Sequence, residues 1–343
     1  MRKFLKNLLG PFLTKIASNA SAPDRKLVFK SLSKLLNTIK KKKTSRGITL
    51  RLDFKKTPVI IFSDMHKGNK DQGDDFASNE RNYLAALEFY YSAGFTFVNL
   101  GDSEELWKYK PEQVIPKNME NFKLEDKFRE LNRFYKTFGN HDLKWKNKLD
   151  VTFWFKKIFK LPLTVWEGIL IITKINNKEL SFFLTHGHQG DKMSDNNAFS
   201  TWIVANIWTP LQRYLQINVN TPSKDFKLRD KHNMMMYEWS SRLKALVLIT
   251  GHTHKPVFAS GKYTDPQKKE LQTTPVQTLE QAPEVKPSYF NSGCCCYNTG
   301  DITGIELEDN FIRLIQWRWD DNKMQSSRAI LEEMKLTDLM TQL

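Results

Sequence analysis

Residues 248–254 read Leu-Ile-Thr-Gly-His-Thr-His, so an apolar run with β-forming character stops directly before two histidines. In a strand, residues two apart point to the same side, so His252 and His254 can face one spot just past the strand end. Two imidazoles at one spot are a common way to present nitrogen ligands to a metal ion. Of the seven histidines in the chain, six lie next to Gly or Asp directly after an apolar run, and only His232 does not. This distribution predicts a shared metal site.

Four earlier apolar runs end in polar motifs of the same kind. Parallel strands with crossover helices place their carboxyl-end loops on one edge of a sheet, where ligands bind, so motifs far apart in sequence are expected to meet. In chain order these motifs are Asp64-Met65-His66, Gly101-Asp102, Gly139-Asn140-His141-Asp142 and His186-Gly187-His188.

Taken in order with Gly251-His252-Thr253-His254, the motifs resemble the calcineurin-like metallophosphoesterase superfamily over roughly residues 57–318. The resemblance implies an α/β fold, namely a four-layer α/β/β/α sandwich of two mixed sheets, and a metal-dependent phosphoesterase activity. It also implies two ligand sets that share one carboxylate. One ion would be held by Asp64, His66, Asp102 and His254, and the other by Asp102, Asn140, His186 and His252.

Two divalent ions about 3.5–4 Å apart neutralise phosphoryl charge and lower the pKa of a bound water. The implied reaction is therefore cleavage of a phosphoester or pyrophosphate bond by a metal-bound hydroxide. Mixed imidazole and oxygen ligation suits Mn²⁺, which we expect, with Fe or Zn²⁺ as alternatives.

The resemblance gives His141 a role other than metal binding. In the family, the histidine of Gly-Asn-His protonates the leaving oxygen or steadies the phosphoryl oxygens, work that suits an imidazole titrating near neutrality. The family orients it with an acid three residues after the Gly-Asp aspartate, which here is Glu105 where Asp is common. We expect His188 and Asn140 to contact the substrate.

Within the superfamily, the sequence favours a lipid branch over the protein Ser/Thr phosphatases. Those phosphatases carry Gly-Asp-x-Val-Asp-Arg-Gly and Gly-Asn-His-Glu, whereas this chain has GDSEELW and GNHD. The layout resembles the bacterial UDP-2,3-diacylglucosamine pyrophosphohydrolases in its early Asp-x-His, its acidic-Trp stretch 104–107 and its helical insertion before Gly-His-Thr-His-Lys-Pro. That branch usually has Arg at the position of His141 and His-Gly-Asp in place of residues 186–188.

The expected substrate is therefore a phosphorylated small molecule, lipid-linked or nucleotide-linked. A metal-dependent nuclease or phosphodiesterase acting on nucleic acid is the alternative, but such a groove would need basic residues on the body of the protein. A non-catalytic scaffold is disfavoured by the complete ligand set.

Positive charge is concentrated at the N-terminal end of the chain. Residues 1–56 hold 16 Lys and Arg against Asp24 and Asp53, a net +14 out of the total of +15. Residues 1–46 form a basic arm with two apolar stripes, the first over 4–16 and the second at Val28, Leu32, Leu35, Leu36 and Ile39. Two interpretations stay open, which are packing of the stripes on the body and peripheral contact with an anionic membrane surface.

The cysteines bear on the compartment in which the protein works. The three cysteines are adjacent, at residues 294–296, which gives no disulfide framework and is typical of a reducing compartment. We interpret them as small, buried and inert. Lys6 and Pro11 interrupt the apolar stretch that a signal peptide would need. The expected location is cytoplasmic, with possible attachment to the inner face of a membrane.

The rest of the chain is predicted to form one metallophosphoesterase domain over residues 47–320. Alternating strands and helices start at residue 59, with helices at roughly 78–92 and 119–136 and a second sheet from 163–175 and 180–185. Three other segments complete the prediction: a helical cap at 190–245, a polar mobile loop at 262–287 and a C-terminal helix or tail at 321–343.

Overall fold

The computed structural model describes residues 24–41, 46–190, 226–260 and 285–343 of the chain. The helices are α1 Arg25–Lys40, α2 Glu80–Ser92, α3 Pro111–Lys117, α4 Met119–Glu130, α5 Lys148–Phe155, α6 Phe226–Ser240 and α7 Leu336–Thr341, with a 3₁₀ helix at Leu143–Lys146. The strands are β1 Gly47–Arg51, β2 Val59–Phe62, β3 Thr96–Leu100, β4 Phe134–Thr137, β5 Val165–Trp166, β6 Gly168–Ile175, β7 Lys178–Thr185, β8 Leu246–Thr250, β9 Tyr289–Asn291, β10 Ile302–Glu308, β11 Phe311–Asp320 and β12 Gln325–Lys335.

Two mixed sheets form the centre of the fold. The seven-stranded sheet has the order β12-β11-β10-β2-β3-β4-β5, and the five-stranded sheet has the order β1-β6-β7-β8-β9. Strands β2, β3, β4 and β5 run parallel, as do β7, β8 and β9. Both faces of these parallel strands are covered, which is why β2, β3 and β8 are buried at every residue.

Alternate residues of β2 face different cores. Ile60 and Phe62 pack with α2 and α4, whereas Val59 and Ile61 pack between the two sheets. A third core lies on the outer face of the five-stranded sheet, under α1 and α6. The layers are therefore helix, sheet, sheet, helix, and the predicted α/β/β/α sandwich is confirmed.

Helix α1 shows what the second apolar stripe of the arm does. Asp24 caps the helix by accepting hydrogen bonds from the backbone N–H groups of Lys26 (2.9 Å) and Leu27 (3.1 Å). The stripe packs on the five-stranded sheet, so its apolar face is not available to a membrane in this structure. Its five members are all buried: Val28, Leu32, Leu35, Leu36 and Ile39. The first stripe, over residues 4–16, lies outside the described residues.

The single helix predicted at roughly 119–136 is wrong. Helix α4 ends at Glu130, Asn132 takes a left-handed backbone conformation (φ 56°), and β4 begins at Phe134. The short run Phe-Tyr-Lys-Thr is a strand because it pairs with β3 on one side and β5 on the other. Such tertiary pairing overrides local helical periodicity.

Two further segments depart from the prediction. Residues 165–166 were expected in the second sheet, but β5 pairs with β4 in the seven-stranded sheet and the chain crosses to the other sheet only at β6. The expected C-terminal helix or tail is mainly a strand, because β12 pairs along the whole of β11 before the short helix α7. Pairing of β12 satisfies backbone groups of β11 that would otherwise form an open sheet edge.

Of the predicted cap over 190–245, the structure describes α6, which packs on β8, β9 and α1. Residues 191–225 of the cap and 261–284, which include most of the predicted mobile loop, lie outside the described residues. Among the described helices, none has the length and apolar character to cross a membrane.

Candidate metal centre

The predicted ligands lie where strands end, on a strained stretch of backbone. Asp64 and His66 follow β2, Asp102 follows β3, and His252 and His254 follow β8. All five have a left-handed backbone, with φ between 50° and 69°. Non-glycine residues rarely adopt this conformation, and it costs of the order of 1–3 kcal/mol where it occurs. The surrounding fold must therefore hold these loops in place.

Two motif glycines allow the loops to approach one another. A Cβ atom on Gly139 would collide with Oδ1 of Asp102, and one on Gly251 would collide with Oδ2 of Asp64. The Gly-Asn-His and Gly-His-Thr-His loops can thus lie directly against the two aspartates. The glycines of these motifs serve close packing around the carboxylates.

The first predicted ligand set converges. Nε2 of His254 lies 3.2 Å from Oδ1 of Asp64 and 3.1 Å from Nε2 of His66. Nε2 of His66 lies 3.9 Å from Oδ1 of Asp64 and 3.8 Å from Oδ2 of Asp102. Two imidazole nitrogens and two carboxylates therefore surround one point, as a divalent cation requires.

The second predicted set also converges at Asp102. Nε2 of His186 lies 3.1 Å from Oδ2 of Asp102, and one donor atom from each of Asp102, His186 and His252 lies within 4.8 Å of the others. Oδ1 of Asn140 is buried without a hydrogen-bond partner, and its neighbours Gly139 and His141 lie against Oδ1 of Asp102. Buried polar atoms are nearly always satisfied, so an orphaned acceptor close to a carboxylate fits a bound cation.

Charge within the site is balanced by pairing. Burial alone would raise the pKa of Asp64, but the charges of His186 and His254 outweigh this effect and hold it well below its usual range. Burial alone would lower the pKa of His186, yet the carboxylates of Asp102 and Asp64 raise it to about 9. Without a cation, the buried carboxylates hold protons on nearby imidazoles; a divalent ion would replace those protons.

Three of the histidines are oriented in the same way. Each imidazole directs Nε2 into the site, while Nδ1 is held by a group behind the ring. Such contacts set the tautomer of a metal-binding histidine and the direction of its ring. The Nδ1 contacts are His66 with Oε2 of Glu105 (3.2 Å), His186 with the carbonyl oxygen of Leu100 (2.9 Å) and His254 with Sγ of Cys296 (3.5 Å).

His141 lies at the edge of this centre and is partly exposed. Its Nδ1 lies 2.9 Å from both carboxylate oxygens of Glu105, and its ring stacks on Trp107 with centroids 3.9 Å apart and an interplanar angle of 21°. Its backbone N–H donates to Oδ1 of Asp102 at 2.7 Å. Glu105 therefore contacts both His141 and His66. The glutamate side chain, although longer than the aspartate that is common at this position, makes the expected contact with His141.

Glu104 of the Gly-Asp loop is paired with a buried lysine, and a second buried ion pair lies nearby; neither was predicted from the sequence. Nζ of Lys136 lies 2.9 Å from both oxygens of Glu104, and Nε1 of Trp145 donates to Glu104 at 2.7 Å. Lys67, the residue after His66, pairs with Glu125. All these charged groups are buried. No sequence signal marked the Lys136 pair, because Lys136 falls in the segment that was predicted as a helix.

Asp142, the last residue of Gly-Asn-His-Asp, joins two loops instead of binding a metal. It accepts hydrogen bonds from the backbone N–H groups of Gly139 (2.6 Å) and Ser103 (2.9 Å). Burial and the neighbouring carboxylates raise its pKa to about 7. Its role is to hold Asn140 and His141 against the Gly-Asp loop.

Two further histidines line the site. His188 is buried, its ring centroid lies 5.5 Å from that of His186, and its Nδ1 has no hydrogen-bond partner; its predicted contact with substrate stays a prediction. His232, on α6, lies with its ring centroid 5.0 Å from that of His252. His232 was the one histidine outside the strand-end pattern, because it reaches the site from the inserted helix.

The geometry agrees with a comparison against known families. A family model described as calcineurin-like phosphoesterase matches residues 57–256, which is more than half of the chain. The chain belongs to the calcineurin-like phosphoesterase family. It is accordingly a metal-dependent phosphoester hydrolase, and the family implies a dinuclear divalent metal site at the ligand groups described above.

Solved structures similar to this calcineurin-like phosphoesterase share little sequence with it. Vacuolar protein sorting 29 from Cryptosporidium parvum is 14% identical, with 82% of this chain and 100% of that chain covered and a TM-score of 0.32. A dimetal phosphatase from Danio rerio is 8% identical, with 82% and 99% covered and a TM-score of 0.35. Scores of this size carry no argument about fold or function. No curated protein matches the sequence significantly.

Proposed function

We propose that this phosphoesterase cleaves a phosphoester or pyrophosphate bond in a lipid-linked or nucleotide-linked substrate, with two Mn²⁺ ions as cofactor. The observation that carries the proposal is the convergence of His66, His186 and His254 on the buried carboxylates of Asp64 and Asp102, with the orphaned acceptor Oδ1 of Asn140 close by. Two divalent ions at these groups would neutralise phosphoryl charge and make a hydroxide nucleophile available near neutral pH.

Asp102 and Asn140 have different roles in the two ligand sets. Asp102 lies between the two ligand sets, since its Oδ2 is 3.8 Å from Nε2 of His66 and 3.1 Å from Nε2 of His186. A carboxylate with two oxygens at this position can contribute to both sets. Asn140 adds a neutral oxygen, which limits the negative charge of the cage facing an anionic phosphate.

His141 is the proposed general acid. Because an ionised carboxylate can only accept, Nδ1–H of His141 donates to Glu105, and Nε2 is left to exchange a proton with the leaving oxygen. Burial alone would raise the pKa of Glu105, but the charges and hydrogen bonds of His141 and His66 hold it well below its usual range, so Glu105 stays ionised as the acceptor. Trp107 fixes the ring plane by stacking, so the acid is held in one orientation before substrate binds.

A substrate with an apolar part is supported by the acidic-Trp stretch and the insertion, both shared in layout with the UDP-2,3-diacylglucosamine pyrophosphohydrolases. His141 and the His-Gly-His motif depart from that branch, so the substrate could differ in its leaving group. The work would take place at the cytoplasmic face of a membrane, where the basic arm over residues 1–46 would supply positive charge toward anionic lipid.

The test is hydrolysis by Mn²⁺-loaded protein on a matched panel. The panel contains a phosphomonoester, a phosphodiester, a nucleotide-diphosphate lipid, the same nucleotide-diphosphate sugar without acyl chains, and single-stranded DNA. We expect the highest kcat/KM on the nucleotide-diphosphate lipid and a clear loss when its acyl chains are removed. Highest activity on single-stranded DNA would replace the proposal with the nuclease alternative.

A further inference from the structure

Helix α5 exposes large apolar side chains on the side away from the core. Val151 and Phe155 are buried in the core that covers the seven-stranded sheet. Leu149 and Phe153 lie four residues apart, on one helix face, and are 79% and 72% exposed. Large apolar side chains adjacent on one exposed face mark interaction sites more often than single ones do.

Lysines surround this face. Across residues 144–161, Asp150 is the only acid. Two of the lysines are paired, Lys144 with Asp150 at 2.8 Å and Lys160 with Glu130 at 2.5 Å. The exposed lysines of this segment are Lys144, Lys146, Lys148, Lys156, Lys157 and Lys160.

Much of this positive charge has no internal role. Among the described residues, Lys148, Lys156 and Lys157 have no acidic group within 4.0 Å. Lys156 and Lys157 follow the C-terminal end of α5 directly. Their charges are therefore free to interact with an external anionic surface.

We infer that α5 is a membrane-contacting helix, in which Leu149 and Phe153 enter the interface of an anionic bilayer and the lysines bind its headgroups. Exposed apolar side chains within a basic rim are the combination that favours an interfacial helix. Nucleic acid would use the lysines but gain little from the two apolar groups. The core of a protein interface would be depleted of lysine.

The position of α5 ties this surface to the catalytic loops. The 3₁₀ helix at Leu143–Lys146 joins His141 and Asp142 to α5. Its Trp145 donates to Glu104, next to the acid that holds His141. A bilayer bound at α5 would thus lie against the segment that carries the general acid. The inference does not depend on which substrate is cleaved, since binding is measured without hydrolysis.

The test is cosedimentation of the full-length chain with vesicles of phosphatidylglycerol and phosphatidylcholine, and with phosphatidylcholine alone. We expect binding to the anionic vesicles that weakens with salt, and a fall of about tenfold or more in partition coefficient for Leu149→Ser/Phe153→Ser. The matched control is Met324→Ser/Leu331→Ser on the β11–β12 hairpin, where the side chains are 71% and 45% exposed. The control should bind as the native chain does.

A second variant separates charge from apolar contact. Lys156→Glu/Lys157→Glu should also weaken binding to anionic vesicles, with a melting temperature close to native because both side chains are exposed. Native-like binding by both α5 variants would overturn the inference and assign any contact to another part of the chain. Failure of the native chain to bind anionic vesicles would overturn it as well. Oligonucleotide binding is measured for the same lysine variant. If the variant loses oligonucleotide binding but binds vesicles as the native chain does, the inference is overturned.

Discussion

Replacement of His141 by alanine should slow catalysis while both metals stay bound. The side chain is tied to Glu105 and Trp107 but is not part of either ligand set. The backbone N–H of residue 141 contacts the metal centre directly, since it donates to Asp102 at 2.7 Å. Alanine keeps that hydrogen bond, so Asp102 should remain in place.

The size of the effect follows from what the ring does. Removal of a positioned general acid typically costs about 10²–10⁴-fold in rate, which corresponds to roughly 3–5 kcal/mol of transition-state stabilisation. Glu105→Gln keeps the shape of the acid but removes the ionised acceptor that holds Nδ1–H of His141. It should reproduce part of the loss, of the order of 10–100-fold, as contacts behind a ligand histidine generally do.

The assay compares leaving groups. The kcat of native and His141→Ala protein is measured on a p-nitrophenyl ester and on an alkyl ester of the same phosphoryl group, with metal content determined by elemental analysis. The loss should be much smaller for the p-nitrophenyl ester, because its leaving oxygen needs no proton. Equal losses on both esters would refute the general-acid role, and loss of a metal from His141→Ala would refute the structural reasoning.

Three other substitutions test the surrounding structure. Asp102→Ala should lower metal content from two ions to at most one, as measured by elemental analysis after reloading with Mn²⁺; retention of two ions would show that Asp102 does not join the sets. Cys296→Ala removes the thiol that lies 3.5 Å from Nδ1 of His254, and it should weaken the binding of one metal ion by about 10–100-fold in a chelator titration. Unchanged affinity for both metal ions would show that the contact between Cys296 and His254 is incidental. Lys136→Met removes the cation that lies 2.9 Å from both oxygens of buried Glu104 and should lower the free energy of unfolding by about 3–5 kcal/mol in urea, and the double variant Lys136→Met/Glu104→Gln should recover part of that loss. No recovery in the double variant would mean that lost packing, not the lost charge pairing, causes the effect.

The sequence by itself determined the chemistry and its place in the fold. Asp64, Asp102 and His252 could be recognised because each follows an apolar run that ends in a short polar motif. Parallel strands place such motifs at one edge of the sheet regardless of the segments that connect them, so residues far apart in sequence meet. The two-sheet architecture was implied by the family resemblance, and the near-continuous apolar runs located its buried parallel strands.

Only the tertiary structure decided which groups support that chemistry. His232 and Cys296 reach the ligand histidines from an inserted helix and from a distant loop, and Lys136 pairs with Glu104 across adjacent strand ends. Local sequence carries no mark of such contacts, because they depend on how closely separate backbones approach. The pairing of β12 with β11 likewise depends on an open edge elsewhere in the sheet. A motif specifies which atoms are offered at a strand end, whereas packing between distant segments fixes their orientation, their protonation and the strain they bear.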